Sequence, residues 1–308
     1  MKIAIVGSGG VGGYFGGRLA ANGVDVTFVA RGAHLAALRN NGLRILSPSG
    51  DLHLPVVKAT DDPRSVGPVD VVLFAVKLYD TESAVALLPA LIGPETVVVP
   101  LQNGVGSVER LTRAVGREHV AGWTCYVAAV IAEPGVIRHT AIGRLLFGPL
   151  RDGVAGLSAP LQQLLVACEG AGFDAVPSEK IETEIWAKFV RLAVISGMTA
   201  VTRCPIGVVV NDPDLAAMMA DALRESFAVA NACGVPLDAS LIPAIMKANQ
   251  AMPGEMKSSM LEDLERGRPL ELPFLSGTVV RLGEEHGVPT PVHRFIATVL
   301  KPFVNGVR

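Results

Sequence analysis

The sequence predicts an α/β protein in two parts, a doubly wound sheet domain over residues 1–177 and an all-helical domain over 178–308. Three observations predict it. A short apolar strand, Met1–Val6, runs directly into the glycine-rich turn Gly7-Ser8-Gly9-Gly10-Val11-Gly12. Strand and helix patterns then alternate as far as about Val176, the alternation that builds a parallel sheet. Beyond Pro177 the apolar period becomes helical and stays helical.

The turn is the most informative element. Gly7 serves the tight bend, Gly9 lets backbone approach a pyrophosphate, and Gly12 lets the next helix pack closely on the strand. A helix beginning near Gly10 offers free N–H groups and a positive dipole end to phosphates. The pattern alone is generic, but here a strand precedes it and the amphipathic run Tyr14–Ala21 follows. A second strand, Val24–Ala30, completes the βαβ unit, so Gly7 through Gly12 (Ser8, Gly9, Gly10 and Val11 included) is expected to hold a dinucleotide on a Rossmann-type domain.

The tip of the second strand reads Phe28-Val29-Ala30-Arg31-Gly32, with no acid for a ribose 2′-hydroxyl; Asp25 lies at the strand's start, too early. A guanidinium suits a 2′-phosphate, which predicts NADP(H) over NAD(H). The bland alternative is that Arg31 is a solvated loop cation.

Further along, Leu43–Leu46 and Leu52–Val57 flank Ser-Pro-Ser-Gly as a small hairpin, and Val69–Val76 reads as a central strand covered on both faces. Thr81–Leu88 is helical up to Pro89, Thr96–Pro100 is strand, and Val108–Ala114 is helix. Val120–Ile131 and Val136–Phe147, joined at Glu-Pro-Gly, are expected as antiparallel strands added to the sheet. Helix Ala159–Ala171 and strand Phe173–Val176 end this half. Six helices follow: Glu179–Met198, Asp212–Cys233, Leu241–Ala251, Ser258–Glu265, Phe274–His286 and His293–Phe303. Ligands of open α/β sheets bind beyond the strands' carboxyl ends, so chemistry is expected where the helical half closes over that edge.

A chain of 308 residues, half of them hydrophobic, can bury cores in two domains. No uninterrupted apolar run is long enough to span a membrane, and the amino terminus lacks a signal-peptide layout. A net charge of −2 gives no reason to expect nucleic acid. Cys125, Cys168, Cys204 and Cys233 lack paired spacing and the histidines lack metal-ligand spacing, so no metal is expected and a cytoplasmic protein is. Apolar helices in the second half are compatible with a homodimer.

Lys77 ends the buried strand Val71–Val76, and Asn103 sits in the turn Leu101-Gln102-Asn103-Gly104-Val105-Gly106 at the next strand's end. Each reads equally as binding or as structure. Lys188 lies on or beside the apolar stripe Ile185, Phe189, Leu192 and Ile195. Desolvation there would lower its pKa toward that of a usable general acid, while an i,i+4 ion pair with Glu184 is the competing role. Glu271 is the only charge in Pro269-Leu270-Glu271-Leu272-Pro273-Phe274, either functional or opening the next helix. Ser258-Ser259 before Met260-Leu261-Glu262-Asp263 reads first as a helix cap.

Together these segments resemble the ketopantoate (2-dehydropantoate) reductase family over nearly the whole chain. Gly7–Gly12, Arg31, Lys77, Gln102–Gly106 and Trp186-Ala-Lys188-Phe carry the resemblance, with Thr199–Gly207, Ser258–Asp263, Glu271 and Gly287–His293. It implies NADPH-dependent reduction of a 2-oxo acid to a 2-hydroxy acid in pantothenate biosynthesis. By the same resemblance Lys188 protonates the alkoxide, Glu271 holds the substrate hydroxyl, and Asn103 orients lysine, nicotinamide and substrate. Ser259 contacts substrate, and Arg31 and Lys77 contact the cofactor.

The chain departs from the family's pattern where two asparagines usually follow the lysine at one-turn intervals. Here Leu192 and Ser196 stand there, Ser196 remaining a candidate substrate contact, and Met256 replaces an expected amide. A ketopantoate reductase is the first expectation. The alternatives are a member retuned for a less polar 2-oxo acid or related carbonyl, and a non-catalytic NADP-binding sensor. An S-adenosylmethionine-dependent transferase also uses glycine-rich turns, but Arg31 disfavours it.

Overall fold

The computed structural model describes residues 1–150 and 156–306, apart from the side chains of 142 and 143. It divides into two units: residues 1–103 with 107–182, and residues 183–308 with the short segment Gly104–Gly106.

The first unit holds β1 (Lys2–Val6), α1 (Gly10–Ala21), β2 (Asp25–Val29), α2 (Gly32–Asn41), β3 (Leu43–Leu46), β4 (Leu52–Leu54) and β5 (Lys58–Thr60). β6 (Val71–Phe74), α3 (Thr81–Val85), β7 (Val97–Pro100), α4 (Gly106–Val115), β8 (Ala121–Glu133), β9 (Val136–Pro149), α5 (Ala159–Gly170) and β10 (Ala175–Pro177) follow. A parallel sheet runs in the order β5-β2-β1-β6-β7. Its β6 and β7, Val-Val-Leu-Phe and Val-Val-Val-Pro, are buried along their whole length, as a strand covered on both faces must be.

Val120 makes one parallel bridge to Val98 of β7, but the long hairpin β8–β9 itself does not extend this sheet, contrary to the expectation above. It belongs to a second sheet ordered β10-β9-β3-β4, with β8 on β9, in which β3 pairs parallel with β9 and antiparallel with β4. The cause lies in α1, which packs against strands of both sheets. Added Cβ atoms at Gly12 and Gly16 would lie 2.8 Å from Ile5 of the parallel sheet. Those at Gly13 and Gly17 would crowd Ile137, Leu43 and Ile45 of the second. Two glycine pairs at i,i+4 thus give the helix two smooth faces, and each sheet closes on one.

In the second unit, α6 (Ile181–Thr202) carries Phe189, Val190, Ala193, Val194 and Met198 into the core. It is long and apolar enough to cross a membrane by length and composition, but its burial in this core marks a core helix. Around it stand α7 (Ile206–Asn211), α8 (Pro213–Ala232), α9 (Leu241–Gln250), α10 (Ser259–Glu265), α11 (Ser276–His286) and α12 (Pro291–Leu300). The short α7 was not anticipated. Pro205 ends the preceding pattern, yet its fixed φ suits the first turn of a new helix. Glu225 of α8 accepts from the Val292 and His293 backbone N–H groups at 2.8 and 3.0 Å and so caps α12.

Candidate active site

The first unit supplies a candidate anion site. Gly7 takes φ +95°, and a Cβ there would lie 2.5 Å from Val76 N, so only glycine makes this bend. Gly10 approaches the Ala129 carbonyl of β8 too closely for any side chain. Gly9, by contrast, has no heavy atom within 4 Å of where a Cβ would stand, which leaves space over the turn. Among the described residues no side chain caps α1, and no acid lies in its first turn. These residues fit a dinucleotide diphosphate: uncapped amides, a favourable dipole and room above Gly9. Val11 lies in this first turn, where its backbone N–H is the group it can offer.

Ser8 is 3 % exposed and its hydroxyl donates to the Val29 carbonyl at 3.0 Å. That side chain braces the turn against β2, leaving only its backbone for a ligand. His34 Nδ1 accepts from Gly135 N–H at 3.1 Å, so the neutral ring carries its proton on Nε2. Burial pushes its pKa down, against the opposing influence of the Ser8 carbonyl. Sequence reasoning missed this brace because Gly135 is distant along the chain.

Arg31 occupies the cap position of α2 without a capping hydrogen bond, and its guanidinium lies 3.7 Å from Asp80. Asp25 is committed elsewhere, 2.8 Å from Lys58 Nζ. Lys77 stands at the start of the tight turn Leu78–Asp80 that follows β6. Gln102 donates to the Val76 carbonyl at 2.8 Å and to Thr81 Oγ1 at 2.9 Å, tying the end of β7 to that of β6 and fixing Asn103's backbone beside it. Gly104, next in sequence, takes φ +83°.

The second unit holds both candidate catalytic residues, Lys188 and Glu271. Lys188, Leu192 and Ser196 follow one another at single-turn spacing along α6. Lys188 and Leu192 are partly exposed, and Leu192 packs with the helical core. Ser196 is fully buried, and its Oγ has no hydrogen-bond partner among the described residues. Glu271 is 7 % exposed between Leu270 and Leu272, at 1 % and 2 %. It precedes a tight turn, Leu272–Phe274, without capping it, and α11 starts only at Ser276, so the helix-opening role is not the one taken.

Of the serine pair, Ser258 is the structural member: its Oγ accepts from Leu261 N at 3.1 Å and caps α10. Ser259 is exposed at the first position of that helix, available to a ligand. Met256, with Met252, packs against the helical core, and its carbonyl accepts from Ile206 N–H at 2.9 Å.

Comparison with known proteins agrees on one family. The description "Ketopantoate reductase PanE/ApbA" matches residues 3–152, and its C-terminal counterpart matches residues 180–304. The chain is 33% identical over 306 residues to a 2-dehydropantoate 2-reductase of Archaeoglobus fulgidus, covering 99% of each. It is 32% identical over 312 residues to one of Mesorhizobium japonicum, covering 94% of each. Among solved structures, a PanE/ApbA family ketopantoate reductase from Ralstonia eutropha superposes with a TM-score of 0.89 at 35% identity, covering 98% of each chain. With a nucleotide-type glycine turn in one unit, a lysine and a buried carboxylate in the other, and both halves matched, the chain belongs to the ketopantoate reductase family of oxidoreductases.

Proposed function

We propose that the protein reduces 2-dehydropantoate to pantoate with NADPH. The bound dinucleotide supplies the hydride. Lys188 donates the proton as the carbonyl oxygen becomes an alkoxide, and its positive charge stabilises that oxygen as charge develops. Asn103 orients the nicotinamide and substrate, Glu271 accepts from the substrate hydroxyl, and Ser259 donates to the substrate.

The observation that carries this reading is Glu271. Its carboxylate is 7 % exposed between two core leucines, in the unit that also carries Lys188, and does not cap the turn it precedes. A carboxylate at this place can accept a hydrogen bond from a substrate hydroxyl. The NADPH assignment is supported by Arg31, whose side chain is 71% exposed beside the uncapped start of α2. The test is loss of NADPH absorbance on adding 2-dehydropantoate. Lys188→Ala is expected to lose at least about 100-fold in kcat while retaining NADPH affinity, since general acids contribute about 10²–10⁴-fold. NADPH binding without turnover over a broad carbonyl panel would leave a sensor instead.

A second reading has its own support. Leu192 and Met256 pack with the apolar core of the helical unit, and Ser196 offers one short hydroxyl. With apolar residues where the family pattern places amides, a 2-oxo acid with a less polar side chain is favoured. Faster turnover of such an acid than of 2-dehydropantoate would select it.

A further inference from the structure

Asp80 occupies the position before α3 where an aspartate ordinarily caps a helix, yet its carboxylate makes no capping hydrogen bond. It is turned instead toward Arg31, 3.7 Å away. Arg31 follows the end of β2, and Asp80 closes the short turn that follows β6, the two strands on either side of β1. Their ion pair therefore reaches across the carboxyl end of β1, where the glycine turn departs. With side chains 71% and 39% exposed, the pair adds little to stability. Its consequence is electrostatic: a carboxylate stands beside the guanidinium assigned to a 2′-phosphate.

We propose that Asp80 sets coenzyme preference by competing with the 2′-phosphate for Arg31. This rests on the NADPH reading above. A 2′-phosphate is close to dianionic, so it engages Arg31 only by displacing Asp80 or by lying against it, and either weakens the phosphorylated coenzyme. The unphosphorylated ribose carries no such charge and offers a 2′-hydroxyl that a carboxylate can accept from. Asp80 thus narrows the gap between NADPH and NADH that Arg31 opens. Both groups are exposed, so the effect is screened by salt.

The experiment measures dissociation constants of NADPH, NADH, 2′,5′-ADP and 5′-AMP for the intact protein, Asp80→Asn and Arg31→Ala, at low and high salt. Because Asp80 caps nothing, Asp80→Asn is expected to keep the thermal midpoint. It should tighten NADPH and 2′,5′-ADP by about three- to tenfold at low salt, with less gain at high salt and no gain for NADH or 5′-AMP. An unchanged NADPH-to-NADH ratio in Asp80→Asn, while Arg31→Ala abolishes the preference, overturns the role of Asp80 and leaves the NADPH reading standing. Equal binding of NADPH and NADH in both the intact protein and Arg31→Ala overturns the NADPH reading itself.

Discussion

The Ser258 hydroxyl donates to Thr199 Oγ1 across 2.7 Å, linking the start of α10 to the middle of the helical core. The direction is fixed by the neighbours. Thr199 spends its own proton on the Ile195 carbonyl at 2.7 Å, so it accepts from Ser258. Ser258 Oγ in turn accepts from Leu261 N. Every donor in this chain is used, and both side chains are buried, at 0 % and 7 %. Ser258→Ala and Thr199→Val are each expected to destabilise by about 1–3 kcal/mol, because each strands a buried partner. The double variant should cost less than the sum in chemical denaturation. Full additivity would mean that the two hydroxyls are not coupled.

The glycine turn separates folding from binding. Gly9 has φ −72° and open space where its Cβ would go, so Gly9→Ala is expected to leave stability within about 0.5 kcal/mol while weakening the dinucleotide. Gly12 is opposite in kind: a Cβ there meets the Gly7 carbonyl and, at 2.8 Å, Ile5. Gly12→Ala should cost about 1–3 kcal/mol or more through overpacking. Thermal melts and a dinucleotide titration on the two variants distinguish the roles.

Much of this was readable in the chain because its causes are local. The glycine turn, the buried β6 and the helical second half follow from spacing within a few residues. The second sheet was not readable, since β3 and β9 pair parallel across some ninety residues of sequence. Period-2 patterning tells a strand from a helix, but not which sheet it joins. Spacing also could not say which of Ser258 and Ser259 is the cap; the tie to Thr199 decides it. Asp80 carried no signal either, because its partner Arg31 lies on another strand's end.

Acid should loosen the α8–α12 contact. His293 is fully buried, its Nε2 2.7 Å from Ser226 Oγ, and burial lowers its pKa to about 4. The unfolded chain then binds a proton between about pH 6.5 and pH 4 that the folded chain refuses. Stability is therefore lost as pH falls through that window, by up to about 3 kcal/mol. Glu225, whose carboxyl is raised by burial, works in the other direction and offsets part of the loss as it takes up a proton. His293→Asn is expected to flatten the slope of stability against pH, and Glu225→Gln to steepen it. Denaturant midpoints at several pH values from about 4 to 7 read both slopes; an unchanged slope in His293→Asn removes the histidine as its source.

Leu192 offers the sharpest discrimination between the two substrate readings. It lies one helical turn from Lys188 on α6, and a leucine there neither donates to nor accepts from a substrate hydroxyl. Leu192→Asn restores an amide at that station. Its effect is read against two substrates, 2-dehydropantoate and 3,3-dimethyl-2-oxobutanoate, which has a methyl group in place of the terminal hydroxymethyl and so lacks only the hydroxyl. If Leu192 faces that group, the ratio of kcat/KM values should shift toward 2-dehydropantoate by about tenfold, the worth of one net hydrogen bond. The deoxy substrate should lose activity at the same time, because the new amide would be desolvated without a partner. A drop shared equally by both substrates would instead mean that Leu192 serves packing, and that selectivity is set from Ser196 or Met256.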